Sequence, residues 1–251
     1  MIKLSVVIIT LNEEKNIGRC LSSVQEIADE ILVVDSLSTD KTKEICESFK
    51  VRFIEQKFLG YIEQKNFALK LATHEYVLSL DADEALSEEL RNEITKIKLN
   101  FSANGYKFNR LTQYNGHWVR HCGWYPDEKL RLILKSKGQW SGNNPHDCLN
   151  VEGSVIHIKG NLLHYSYNSI SSHVQQTIKF SEIEAVTLFS KGKRASIMKL
   201  VTRAPFQFFK DYFLKLGILD GRYGFVICYI NALYVLLKYA KIIDLEKAEI
   251  N

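Results

Sequence analysis

Four short runs of branched apolar residues recur early in the chain, at residues 4–10, 30–35, 51–55 and 76–80. Each is separated from the next by a segment with helical spacing. Ile17, Cys20, Leu21 and Val24 share one helical face, with Asn12 as the expected N-cap. A second helix is expected from Ser38 to Phe49, a third over 62–72, and a fourth over 88–98 capped by Ser87. Regular alternation of this kind predicts an α/β fold with a mostly parallel central sheet and helices on both faces. Such sheets collect ligands at the carboxyl ends of their strands.

Polar residues stand at three of those ends. Thr10, Asn12 and Glu13 follow the first strand, Asp35 the second, and Asp81-Ala82-Asp83-Glu84 the fourth. Carboxylates are costly to bury without partners. An acidic cluster after an apolar strand fits either a hard divalent cation carrying a diphosphate or a solvated turn. Asp35 fits a ribose or base contact, or a simple turn cap. Glu84 reads as a capping residue. Lys65, at the start of the third helix, fits a point charge for a diphosphate, or an exposed helix lysine.

From about residue 105 the character changes. Strands are expected at 106–111 and 129–134, a polar loop at 139–147, further β structure over 153–165 and a helix over 173–191. Residues 197–241 read as helical and very apolar, interrupted near 217–224. Tyr114, Trp118, Trp124 and Tyr125 offer apolar faces with polar tips, suited to a sugar platform or to core packing. His146-Asp147 fits a base with an orienting imidazole, or a structural pair.

The composition narrows the classes. A net charge of +4 by itself implies neither a nucleic-acid partner nor a membrane. Five cysteines without a CxxC pair read as reduced thiols of a cytosolic protein. The His and Cys residues of 117–148 lack zinc-type spacing. The N-terminus enters a strand directly, so no signal peptide is expected. No uninterrupted apolar stretch reaches the roughly 18–20 residues of a bilayer span. The C-terminal helices, ringed by Lys199, Arg203, Lys210, Lys215, Arg222, Lys238 and Lys241, fit in-plane contact with an inner-leaflet membrane surface. They equally fit packing on the catalytic domain or on another subunit, which leaves a homo-oligomer open.

Together these segments resemble family 2 glycosyltransferases of the GT-A (Rossmann-like) fold. The resemblance rests on residues 4–14, 33–42, 64–69 and 80–84. Residues 123–127, 130–132 and 164–167 are similar to the WaaE and KdtX type lipopolysaccharide core glucosyltransferases. The resemblance implies a catalytic domain over 1–195, with a nucleotide-binding half at 1–104 and an acceptor half at 105–195. A helical C-terminal appendage then covers 196–251. Thr10, Asn12, Glu13, Asp35, Lys65 and Asp81 would bind the nucleotide, and Asp83 would hold a divalent metal, Mg²⁺ or Mn²⁺. Asp147 would be the general base, with His146 beside it. Trp124, Tyr125, Asp127 and Trp140 would meet sugar or acceptor.

The implied reaction is inverting transfer from a UDP-sugar to a glycan or glycolipid acceptor of the cell envelope, in the cytoplasm or at the inner membrane face. A sugar nucleotidyltransferase and a non-catalytic carbohydrate-binding protein remain as alternatives. The family's pattern is broken at Ser36, where many relatives carry a second aspartate, at Leu37, commonly glycine, and at Asp147, usually glutamate.

Overall fold

The structure is a computed structural model that describes residues 1–143 and 146–250, without the side chains of Asn143, His146 and Ile250. In chain order the elements are β1 (Leu4–Thr10), α1 (Ile17–Val24), β2 (Glu30–Asp35), α2 (Thr42–Ser48), β3 (Arg52–Glu55), α3 (Tyr61–Leu71) and β4 (Tyr76–Asp81). Next come β5 (Glu84–Leu86), α4 (Glu88–Leu99), β6 (Gly105–Tyr114), β7 (His117–Trp118), β8 (Glu128–Leu134), β9 (Gly138–Asn143), β10 (His146–Val151) and β11 (Val155–Tyr167). The chain ends in α5 (Ile170–Ser190), α6 (Ile197–Phe209) and α7 (Gly221–Ile250).

Two compact units emerge: Met1–Leu111 with Asp127–Tyr165, and Thr112–Pro126 with Ser166–Asn251. This division does not follow the expected boundary at 195/196. Residues 112–126 and the helix α5 group with α6 and α7 in the second unit.

In the first unit the sheet order is β3-β2-β1-β4-β8-β6-β11-β5. β1 pairs in parallel with both β2 and β4, and β2 with β3. The period of two along β1 decides the layering. Leu4, Val6 and Ile8 turn to one face, against Ile17, Leu21 and Val24 of α1 and Leu90 and Ile94 of α4. Val7 turns to the other, with Ala68 and Leu69 of α3. All but Leu69 are essentially solvent-free, each large one contributing about 1.5–3 kcal/mol of burial. α4 starts as expected, with Ser87 Oγ accepting from the Leu90 amide.

Three local expectations are corrected. Asn12 is not the N-cap of α1: its φ is +54° and the helix begins at Ile17. Most of the polar stretch 139–147 is strand and not loop, because β9 and β10 pair antiparallel with Asp147 opposite Gly142. Its alternation of small and polar residues masked the strands. Thirdly, the helical run Gly217–Glu249 is long and apolar enough to cross a membrane, with mean hydropathy 1.6. Its scattered polar residues leave no unbroken apolar stretch of that length in the sequence.

The second unit has its own core. Tyr114, Val119, Cys122, Ile227 and Cys228 are buried together. Trp124, Tyr167 and His173 surround the Tyr114 ring at 5.3–6.0 Å. Burial in this cage pushes the His173 imidazole down to about 4. Gly224 lets α7 approach a preceding turn, since a Cβ there would meet the Gly217 carbonyl oxygen at 1.8 Å.

Candidate active site

The rim is built first from loops that bind themselves. β1 and β2 end side by side, Thr10 in register with Asp35. The Asn12 amide donates to Ser38 Oγ at 2.8 Å, and Ser38 Oγ donates to Asp35 Oδ1 at 2.5 Å. The Ser38 amide reaches Asp35 Oδ2 at 2.7 Å, and the Thr39 amide donates to Asn12 Oδ1 at 2.9 Å. Asn12 and Asp35 are thus brought together, with Asp35 almost wholly buried. Leu37 sits at φ +67°, the left-handed conformation that glycine adopts without steric cost. Thr10 Oγ1 is buried and meets no hydrogen-bond partner among the described residues. Glu13 accepts from Asn16 Nδ2 at 2.8 Å. Burial, reinforced by the charge of Asp83, pushes its carboxyl up to about 7.

Behind this rim runs a chain of alternating charges. Lys129 meets Asp127 at 2.9 Å, and Asp127 meets Arg110 at 2.9 Å. Arg110 lies 3.6 Å from Glu84, and Glu84 takes Arg131 at 2.8 Å. Arg131 bonds Asp81 at 3.0 Å, Asp81 meets Lys65 at 3.0 Å, and Lys65 reaches Asp147 at 2.8 Å. Burial alone would raise the Asp81 carboxyl. Lys65 and Arg131 beside it outweigh that and hold it well below the usual carboxylate range.

The chain changes the expected roles. Glu84 is no helix cap: it lies in β5, fully buried, as the partner of Arg131, and its Oε2 accepts from the Asp81 amide at 3.0 Å. Lys65 is not an open point charge, because its side chain is 5% exposed and its ammonium is held between two carboxylates. Trp140 is likewise buried, its ring 4.4 Å from Lys65 Nζ and 5.2 Å from the Arg131 guanidinium carbon. An indole face attracts both cations, so Trp140 supports the charge chain instead of standing open as a platform. Asp127, half-buried, is engaged by Arg110 and Lys129.

The hairpin carrying Asp147 is pinned by Asn66. Its Nδ2 donates to the Trp140 carbonyl at 2.9 Å and its Oδ1 accepts from the Trp140 amide at 3.0 Å. Adjacent residues of α3 therefore fix the hairpin backbone and the Asp147 carboxylate. The side chain of His146 lies outside the described residues.

At the end of β4, Asp83 Oδ2 lies 3.1 Å from His164 Nε2. β11 supplies this histidine, in register with Glu84 of β5, and the Tyr165 amide donates to the Asp83 carbonyl at 2.9 Å. A carboxylate and an imidazole that converge are suitable donors for a divalent cation. Among the described residues no group of three or more His, Cys, Asp or Glu forms a complete metal cage. Two protein donors are nonetheless the arrangement expected where substrate phosphates and water complete the shell. The residues present fit such an ion.

Trp124 and Tyr125 belong to the second unit. Trp124 stacks among Tyr114, Tyr167 and His173, and Tyr125 lies 5.7 Å from the Arg120 guanidinium carbon. Sequence reasoning missed the roles of Arg131, Arg110, Asn66 and His164. Arg131 and His164 lie in the segments 130–132 and 164–167 that carry the family resemblance, and Arg131 is also a lone charge inside the apolar run Leu130–Leu134.

The family model described as glycosyl transferase family 2 matches residues 5–149. A glycosyltransferase of Rickettsia typhi is 32% identical, over 98% of this chain and 88% of that protein. The lipopolysaccharide core biosynthesis glycosyltransferase LpsC of Rhizobium meliloti is 31% identical, over 95% of this chain and 91% of that protein. Among solved structures, S. aureus TarS in complex with UDP superposes with a TM-score of 0.48 and 16% identity, over 98% of this chain and 92% of that one.

Proposed function

The chain belongs to glycosyl transferase family 2 and is a glycosyltransferase; we propose that it is an inverting enzyme using a UDP-sugar and a divalent cation. The acceptor is a glycan or glycolipid, and likeness to a lipopolysaccharide core enzyme favours the lipopolysaccharide core. The observation that carries this reading is the pairing of the charge chain ending in Asp147 with the Asp83–His164 pair at the end of β4.

Thr10, Asn12, Glu13 and Asp35 line the nucleotide side of the rim. Every cationic group of the charge chain already faces a carboxylate. An incoming diphosphate therefore finds no spare positive charge there. Asp83 and His164 are the residues to hold a Mg²⁺ or Mn²⁺, which when bound supplies that missing neutralisation.

The acceptor oxygen bonds the anomeric carbon on the face opposite the diphosphate. The bond from that carbon to the phosphate oxygen breaks, and its electrons leave with the nucleoside diphosphate. Asp147 takes the hydroxyl proton, a role generally worth about 10²–10⁴-fold. Lys65 positions Asp147 and Asp81 and does not contact phosphate in this scheme. Asp127 remains the acceptor-side candidate within the first unit.

Calorimetry and transfer assays test the scheme together. Asp83→Asn is expected to abolish the metal dependence of UDP binding. Asp147→Asn should keep that binding and lose transfer by about 10²–10⁴-fold. Undiminished metal-dependent binding by the first variant would remove Asp83 as ligand, and near-normal turnover by the second would remove Asp147 as base.

A further inference from the structure

Transfer chemistry leaves one surface of the second unit unused. From residue 185 through 210 the chain carries Lys191, Lys193, Arg194, Lys199, Arg203 and Lys210 and no Asp or Glu. This is a concentrated positive run in a chain whose net charge is only +4. Along α6, Met198, Val201, Pro205 and Phe209 recur at spacings of three and four, so they form one stripe. Ile197 and Phe206 widen it. Ile197, Met198, Val201, Phe206 and Phe209 stand in solvent, from 49% exposed at Phe209 to 75% at Met198. Lys199 and Arg203, four residues apart and also exposed, follow one edge of the stripe.

The apolar surface continues past α6. The Phe209 and Phe213 rings touch at 5.2 Å, and Leu214, Leu216, Ile218 and Leu219 are all exposed in the turns that follow. Between α6 and α7 lies a groove of about 490 Å³, lined by Pro205, Phe208, Phe225, Tyr229, Leu233 and Leu236.

We propose that this face lies in the plane of an anionic phospholipid bilayer, its aromatic and aliphatic side chains inserted and its Lys and Arg residues on lipid phosphates. An apolar stripe edged by basic residues has the chemistry of an interfacial helix. A second copy of the chain is a poorer occupant: Arg194 already pairs with Glu249 at 3.1 Å, and apposing two such faces would bring the remaining Lys and Arg side chains together. An anionic leaflet instead attracts each Lys and Arg.

The geometry also favours lying on the membrane over crossing it. Tyr234 and Lys238, mid-way along α7, both bind Glu184 of α5, and Asn231 Nδ2 donates to Asp211 Oδ2 at 3.0 Å. These polar contacts tie one side of α7 to α5 and to Asp211. The proposal does not depend on the transfer reaction and is read by binding alone.

The test is vesicle flotation of the full chain with phosphatidylcholine, with and without phosphatidylglycerol. Binding to the anionic vesicles, released by salt or alkaline carbonate, is expected. Phe209→Glu with Phe213→Glu, and separately Lys199→Glu with Arg203→Glu, should each weaken it by about tenfold or more. Circular dichroism and melting temperature verify that the variants fold, and the charge pair serves if the aromatic pair does not. Equal binding to neutral vesicles, no binding, or unchanged binding by folded variants overturns the proposal. So does carbonate-resistant retention, which means a spanning α7. Sedimentation showing that the same variants only break a dimer overturns it equally.

Discussion

In the first unit Arg131, Lys65 and Glu84 are almost completely buried, and each meets an opposite charge within 3.0 Å. In the second unit Met198, Val201 and Phe209 stand in solvent beside Lys199 and Arg203. The first arrangement costs desolvation that only its partners offset, so the fold depends on the whole chain of charges. The second contributes little burial on folding, so its apolar character is available to something outside the protein. One region is organised from within, and the other keeps its apolar side chains in solvent.

The comparison is broken most severely at Arg131. Arg131→Ala leaves Glu84 and Asp81 without their shared guanidinium, and a loss of about 3–5 kcal/mol is expected in denaturant unfolding. A loss below about 1 kcal/mol would mean the pairing behaves like a surface salt bridge.

Asn66→Ala should act on geometry more than on stability. It frees the β9–β10 hairpin, and with it the Asp147 carboxylate. Turnover is expected to fall by about 10–100-fold while nucleotide binding holds, since small misplacements are costly in catalysis. Unaltered kcat would show that Lys65 alone positions the hairpin.

Glu13 sharpens the comparison through pH. Its folded carboxyl titrates near 7 against an ordinary 4.5, because burial opposes the charge. The folded chain therefore holds this proton more tightly than the unfolded one. Stability from this group falls as pH rises through that window. Glu13→Gln removes the ionisation, so its melting temperature should gain on the parent between pH 5 and pH 8. A constant difference across that range would refute the shift.

The smallest effect belongs to the exposed face. Phe209→Ser should change unfolding free energy by no more than about 0.5 kcal/mol, as surface positions usually do. A larger loss would place Phe209 among residues the fold itself requires.

Much of the architecture was legible in advance. The strands at 4–10, 30–35 and 76–80 and the helix at 88–98 all reappear with shifts of a residue or so. Periodicity is local, and it survives in the one-dimensional string. The start of α1 was misplaced because Asn12 has N-cap chemistry but serves the Ser38–Asp35 loop. The β9–β10 hairpin was lost because glycine, asparagine and serine there imitate a loop.

The sequence by itself determined the family, the α/β order and the acidic strand end at Asp81-Ala82-Asp83-Glu84. It did so because those features lie within a few residues of one another. Only the tertiary structure decided how these charges are partnered. Lys65 and Asp147 are 82 residues apart, and Asp83 and His164 are 81 apart. Electrostatic pairing depends on distance through space and leaves no period in the chain. The three carboxylates of that turn thus divide into Asp81 and Glu84, neutralised within the charge network, and Asp83, which turns to His164.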